Sequence, residues 1–278
     1  MSASVETPLT ADDVVVLETH AEWRAADVAD PAGWTLQLSD AHLAEVDAAL
    51  AHSKRVSDEV LDITVDDFPL PTLAPLLREF ARELIDGRGF GRIGTIDVDR
   101  LGPDDAALVY WGIGMHLGVP WPQNAKGHLL GDVRDQGKRP DDPTARGNEI
   151  GGAPLTFHSD GSDLIGLLCL DAGVTGGESL VANALYAHNE LVRTEPELAA
   201  ELYAPLPYDF RGEQRPGATP YYFVPTFSRH GGADRERLFI RYIRPFIEAS
   251  QRHPDAPRLT DRQRAAMDAF DALITAEE

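Results

Sequence analysis

The chain has a single cysteine in 278 residues, three methionines, and only 25 Lys plus Arg against 46 Asp plus Glu. One thiol cannot build a disulfide framework or a Cys-rich zinc or iron–sulfur centre. Cys169 lies in the apolar run Leu167-Leu168-Cys169-Leu170, which predicts a small buried hydrophobe rather than a nucleophile. The shortage of cations leaves a formal charge of −21 and a pI near 4.7. Such a surface repels phosphate backbones and anionic lipid heads, so neither nucleic acid nor a membrane is expected as a partner. No apolar run nears the ~18 residues that span a bilayer. The first basic residue is Arg24, late for a secretory leader, and the expected compartment is the cytoplasm. Internal repeats and low-complexity tracts are also lacking.

What is present is a patterned globular chain, read as a single domain over residues 1–278 with ample length to bury a core. Residues 1–20 form a loose N-terminal arm in this reading, apart from a short strand at 14–17. Ser39 offers an N-cap, with Leu43, Val46 and Leu50 following at helical spacing. Leu73, Leu76, Leu77, Phe80 and Leu84 make the stripe of a second helix, closed by Gly87. A Gly-punctuated strand is predicted over 90–98 and a third helix over 104–117, with Trp111 and Met115 on its buried face. Residues 120–152 hold many Gly, Pro, Asp and Asn and read as a long loop or lid. The continuous apolar run 164–170 predicts a strand buried on both faces. Further strands are expected over 178–183, 221–227 and 238–243. Helix is expected over 185–203, interrupted at Pro196, and again after the Thr260 cap. Early helices and later strands without βαβ alternation point to an α+β fold around a mainly antiparallel sheet.

The chemistry concentrates in Thr156-Phe157-His158-Ser159-Asp160-Gly161-Ser162-Asp163. In an extended segment residues two apart share a side, so His158 and Asp160 can converge on one atom. Imidazole plus carboxylate suits a borderline divalent metal, and a second imidazole would complete the facial triad of non-haem iron enzymes. With nine His and Asp at roughly one residue in ten, about one His-x-Asp arises by chance. The copy at His253-Pro254-Asp255 lies in a Pro-rich linker and reads as that accident. His158-Ser159-Asp160 instead precedes an apolar run and the glycine turn Gly176-Gly177-Glu178-Ser179, a rigid frame suited to a functional site.

Those three segments together resemble the TauD/TfdA family of Fe(II)/2-oxoglutarate dioxygenases. Arg88-Gly89-Phe90-Gly91, Leu117-Gly118-Val119-Pro120 and Arg241-Tyr242-Ile243-Arg244 fall in the family's order, so the likeness runs from about Arg88 to the C-terminus. The resemblance implies a double-stranded β-helix (jelly-roll) core flanked by helices. It implies Fe(II), 2-oxoglutarate as co-substrate, and O2. It also implies His158 and Asp160 as metal ligands and the Ser179 hydroxyl as a contact to 2-oxoglutarate. The reaction implied is oxidation of a C–H bond of a small-molecule substrate, with hydroxylation the simplest outcome and desaturation or ring formation open. Asp160 argues against halogenation, where a small residue replaces the carboxylate.

The family's second His and its 2-oxoglutarate-binding Arg lie beyond a helix like the one at 261–274. The sequence stops at Glu278, so the fold is expected to be C-terminally incomplete. His230 and Arg241 stand 11 apart, near the family interval, but Ser228-Arg229-His230-Gly231-Gly232 reads as an exposed hairpin tip. In the loop, Gln123, Asn124 and His128 either line the substrate pocket or bond the loop's own backbone. Asp163 either orients His158 or merely starts a strand. Two rivals stay open: a catalytically inactive binding protein of the same fold, and a metal-dependent hydrolase. Homo-oligomer formation is open too.

Overall fold

The computed structural model describes residues 9–124, 126–139, 142, 155–230 and 237–277. The chain divides into two compact units. One comprises Ala25–Gly131 and Ser162–Ser179, the other Met1–Arg24, Asp132–Gly161 and Leu180–Glu278.

The first unit is helical. Helix α1 (Asp40–Val56) starts where Ser39 Oγ accepts the His42 N–H and His42 Nδ1 accepts the Ser39 N–H. This is a reciprocal capping box with an imidazole where Glu or Gln is usual. Helix α2 (Leu73–Asp86) begins on the carboxylate of Glu45, which accepts the N–H groups of Thr72 and Leu73 at 2.9 and 3.0 Å. A negative side chain on a helix N-terminus satisfies orphan donors and complements the dipole. Helix α3 (Val98–Leu117) is longer than its sequence stripe predicts. It breaks at Gly102, where φ is +72°, and restarts at Pro103, a residue pre-set for a first helical turn. The stripes of α1, α2 and α3 enclose Leu50, Ile63, Phe68, Leu73, Leu77, Val109 and Trp111. Trp111 is core, as expected, and its indole N–H donates to Ile63 O at 2.8 Å. The strand predicted over 90–98 shrinks to β2 (Arg92–Ile93), which pairs in parallel with β1 (Thr35–Leu36).

The second unit is mixed. Helices α4 (Ala184–Thr194) and α5 (Pro196–Tyr203) pack on α7 (Asp261–Ile274), with the predicted break at Pro196 between the first two. Strands β3 (Pro205–Asp209) and β4 (Tyr221–Pro225) form one antiparallel pair, and β5 (Phe227–His230) and β6 (Arg237–Ile240) another. Helix α6 (Arg244–Ser250) packs on β3. The core centres on Phe270 of α7, whose ring meets Phe227 and Tyr242 edge-on with both centroids 5.1 Å away. Strand β3 and helix α6 carried no sequence signal: Pro205 and Pro207 obscure the first, and α6 is two turns long.

Several expectations are overturned. Residues 14–17 are not a strand. Val14 and Leu17 are nonetheless buried, because Asn189 of α4 bonds the Leu17 backbone from both ends of its amide, accepting its N–H at 2.9 Å and donating to its carbonyl at 3.0 Å. Residues 164–170 are not a buried strand either. They run without regular structure, with Ile165 48% and Leu167 75% exposed, and Cys169 is exposed rather than buried. The strand expected over 178–183 is likewise irregular. Hydrophobicity proposes a strand, but only a neighbouring strand that takes up its N–H and C=O groups makes one. Among the described residues the six strands form three separate two-stranded ladders, so the observed fold is α+β with small sheets. Of the loop or lid expected at 120–152, residues 125, 140–141 and 143–152 lie outside the described residues, as do 1–8 of the arm and 231–232 of the hairpin tip.

Candidate functional site

The segment carrying His158 and Asp160 belongs to the mixed unit and is laid along the end of β6. Ser159 makes the attachment. Its N–H donates to Tyr242 O at 2.9 Å, its hydroxyl donates to Ile240 O at 2.8 Å, and the same oxygen accepts the Tyr242 N–H at 2.8 Å. Its carbonyl accepts a bond from Arg241 Nη1 at 2.5 Å. On either side of it, His158 and Asp160 are exposed while Ser159 is half-buried. That alternation is what an extended segment with its middle residue turned inward requires.

His158 is oriented locally. Its Nδ1 lies 2.7 Å from Thr156 O, so Nδ1 carries the proton and donates, leaving the Nε2 lone pair available. Metal-binding imidazoles are commonly fixed in this way by a backbone carbonyl on the other ring nitrogen. The orienting role considered for Asp163 is therefore filled by a carbonyl. Asp160 has no hydrogen bond or ion pair among the described residues. No group of three or more His, Cys, Asp or Glu side chains able to hold a metal gathers among the described residues.

The remaining candidates are placed as follows. In the helical unit, Asn124 and His128 are brought to each other. Asn124 Oδ1 accepts the N–H groups of Lys126 and His128 at 3.0 and 3.3 Å, and its amide nitrogen lies 3.1 Å from His128 Nδ1. Here the bonds to the loop's own backbone are the ones made, closed by Gln123 N–H to His128 O at 2.6 Å. Ser179, in the same unit, is exposed and follows Gly176 and Gly177. Those two glycines have φ of +82° and +80°, a pair of left-handed conformations that side chains with a Cβ rarely adopt. His230 ends β5, exposed, with its ring 5.2 Å from Phe239. His253, of the second His-x-Asp, turns to the buried carboxylate of Asp209 at 2.9 Å rather than toward Asp255. His116 Nε2 donates to Phe68 O at 2.8 Å, as a satisfied helix histidine.

Tyr208 and Tyr242 hold up the strand end beneath the site. Tyr208 Oη donates to Arg241 O at 2.6 Å, and burial pushes its phenol pKa up to about 12. Tyr242 Oη donates to Asp271 Oδ1 at 2.7 Å, and burial followed by that carboxylate raises its pKa further. Both phenols therefore stay protonated donors at any physiological pH. Sequence reading missed these residues and the inward role of Ser159. No local sequence pattern marks Ser159, whose partners lie about 80 residues downstream.

The comparisons bear out the family resemblance. Residues 47–278 match the family described as "Taurine catabolism dioxygenase TauD, TfdA family", and the chain belongs to that family. Members of the family are Fe(II)/2-oxoglutarate dioxygenases. Among curated proteins, the chain is 32% identical over 223 residues to "FR-33289 synthase" of Streptomyces rubellomurinus, covering 79% of this chain and 65% of that protein. It is 26% identical over 219 residues to "Taurine hydroxylase-like protein SAT17" of Stachybotrys chartarum, covering 76% of this chain and 54% of that protein. The chain thus spans between half and two thirds of the length of these relatives. No described helix is long and apolar enough to cross a membrane.

Proposed function

We propose that this chain is an Fe(II)/2-oxoglutarate-dependent oxygenase that oxidises, by hydroxylation, a C–H bond of a small molecule. The observation that carries the reading is the arrangement at residues 156–160. Ser159 is turned to the strand, His158 has its Nδ1 committed to Thr156 O, and a nitrogen and a carboxylate are left outward on its two sides. That donor set fits a divalent first-row ion, with His158 Nε2 and Asp160 as two of its ligands. Among the described residues no third His, Cys, Asp or Glu joins them in a metal-holding group. Bound iron with 2-oxoglutarate and O2 would supply the oxidising power; the protein's part is to aim donors, position substrate and exclude water. In this proposal Ser179 contacts 2-oxoglutarate, Asn124 and His128 contact the substrate, and the strands belong to a jelly-roll core. Action in the cytoplasm as one catalytic domain is part of the same reading.

Anaerobic titration with Fe(II) and 2-oxoglutarate tests it. The expected result is a visible charge-transfer band, succinate on admission of air, and loss of both in His158→Ala and Asp160→Ala with the far-ultraviolet circular dichroism retained. Iron affinity unchanged in both variants would remove the assignment. A second reading, a binding protein that keeps the fold without the chemistry, is favoured by the lack of a third donor among the described residues. It predicts no band and no succinate. A hydrolase on Zn(II) would instead work without oxygen or keto acid.

A further inference from the structure

We infer that Ser159 is the positioning residue of the His158–Asp160 pair, and that the backbone of residues 240–242 with the Arg241 guanidinium is the bed on which it is locked. The inference rests on the reading of His158 and Asp160 as metal donors and adds what fixes their aim.

Every polar atom of Ser159 is engaged with one three-residue stretch. Its N–H and hydroxyl proton go to the carbonyls of Tyr242 and Ile240, its hydroxyl oxygen receives the Tyr242 N–H, and its carbonyl receives Arg241 Nη1. A hydroxyl has one proton and spare lone pairs, so donating to one backbone group and accepting from another uses it in both senses at once. That two-way bond sets the height and the rotation of residue 159 on the strand end. Residues 158 and 160, on either side of it, are left exposed. Arg241 also flanks Gly161: a Cβ built there would stand 3.7 Å from the guanidinium carbon.

The bed is itself held rigid. The Arg241 N–H donates to Thr226 O at 2.8 Å, its carbonyl receives Tyr208 Oη, and Tyr242 is tied to α7 through Asp271. Tyr208 and Tyr242 are among the largest fully enclosed side chains of the molecule. The donors are exposed, but the groups that aim them reach the core in two steps. Partners behind metal ligands typically hold 10- to 100-fold of affinity, on the order of what Ser159 should control.

The test is Co(II) binding by the 278-residue chain, read from its visible d–d absorption, which reports coordination geometry as well as affinity. Ser159→Ala is expected to weaken Co(II) binding by about 10- to 100-fold and to alter the band at saturation, with the thermal unfolding curve little moved. Ser159→Thr, which keeps the hydroxyl, is expected to restore both. If Ser159→Ala binds Co(II) as the parent does while His158→Ala and Asp160→Ala lose it, the positioning role is overturned and the donors stand. If neither donor substitution changes the spectrum, the donor assignment falls and this inference with it. Should Ser159→Ala not fold, Arg241→Gln carries the test, since it removes only the bond to the Ser159 carbonyl. Weakened cobalt binding there supports the bed, and unchanged binding overturns it.

Discussion

Two neighbouring stretches of this chain read as extended, and they end in opposite conditions. Residues 156–161 are polar and irregular in composition, yet Ser159 is bonded at every polar atom. Residues 164–181 hold the apolar run 164–170, read from the sequence as a strand buried on both faces, and the start of a second expected strand at 178–183. Among the described residues, their backbone accepts a bond from Tyr110 Oη at Gly166 O and donates one from the Gly173 N–H to Asp171 Oδ1, with no backbone ladder. Leu167, Val174 and Leu180 stand in solvent. The difference teaches that enclosure by partners, not apolar content, decides which segment is fixed. A β-strand is a relation between two chains of peptide groups, and hydrophobicity reports only one side of it.

This contrast can be broken by substitution. The largest expected effect is at an enclosed position: Leu191→Ala in α4, whose side chain is fully buried, should cost about 2–5 kcal/mol of unfolding free energy in a urea titration. A cost under about 0.5 kcal/mol, the range of ordinary surface substitutions, would show the mixed core to be loosely packed. Next comes overpacking in the helical unit. A Cβ added to Gly112 of α3 would lie 2.3 Å from Cγ of the buried Phe68 ring, which cannot swing aside. Gly112→Ala should therefore destabilise by about 1–3 kcal/mol, although alanine is the better helix former.

A smaller effect depends on pH. His188 is fully buried, with Nδ1 3.1 Å from Asn189 Oδ1 and Nε2 2.8 Å from Tyr203 Oη. Asn189 uses its amide nitrogen on Leu17 O and on Glu22, so its oxygen faces His188 and the proton sits on Nδ1. Burial is the main cause that holds the imidazole pKa below its ordinary 6.5, opposed by the Asn189 bond. The unfolded chain then takes up a proton that the fold refuses. Stability contributed here is complete above pH 6.5 and is lost as pH falls from there toward the lower folded value. The urea midpoint should drop between pH 7 and pH 5, and His188→Gln should flatten that drop; an equal drop in the variant would place the titration elsewhere. The smallest effect is the other half of the contrast. Leu167→Ser should change stability by no more than about 0.5 kcal/mol, and a loss of several times that would mean the run is enclosed after all.

How much was legible follows the same division. Helices α1, α2 and α7 were readable because a cap and a stripe lie within one turn of each other: Ser39 and Thr260 close reciprocal boxes, and Gly87 ends α2. The interruption at Pro196 was readable because a ring without an N–H opens a helix but does not continue one. The pair His158 and Asp160 stood out from the second His-x-Asp by its surroundings alone. What failed was mostly what needs a partner from far along the chain. Residues 14–17 were read as a strand because four apolar residues cannot announce that a side-chain amide 172 positions away will hold them. Cys169 was read as buried because its neighbours are apolar.

The sequence alone determined the acidic charge, the helix stripes and their caps, and the spacing of His158 and Asp160, because each is set by side chains within a few positions of one another. Only the tertiary structure decided which face of residues 156–161 is turned inward. The hydroxyl of Ser159 finds its carbonyl and its amide about 80 residues downstream, and no local pattern encodes a bond of that span.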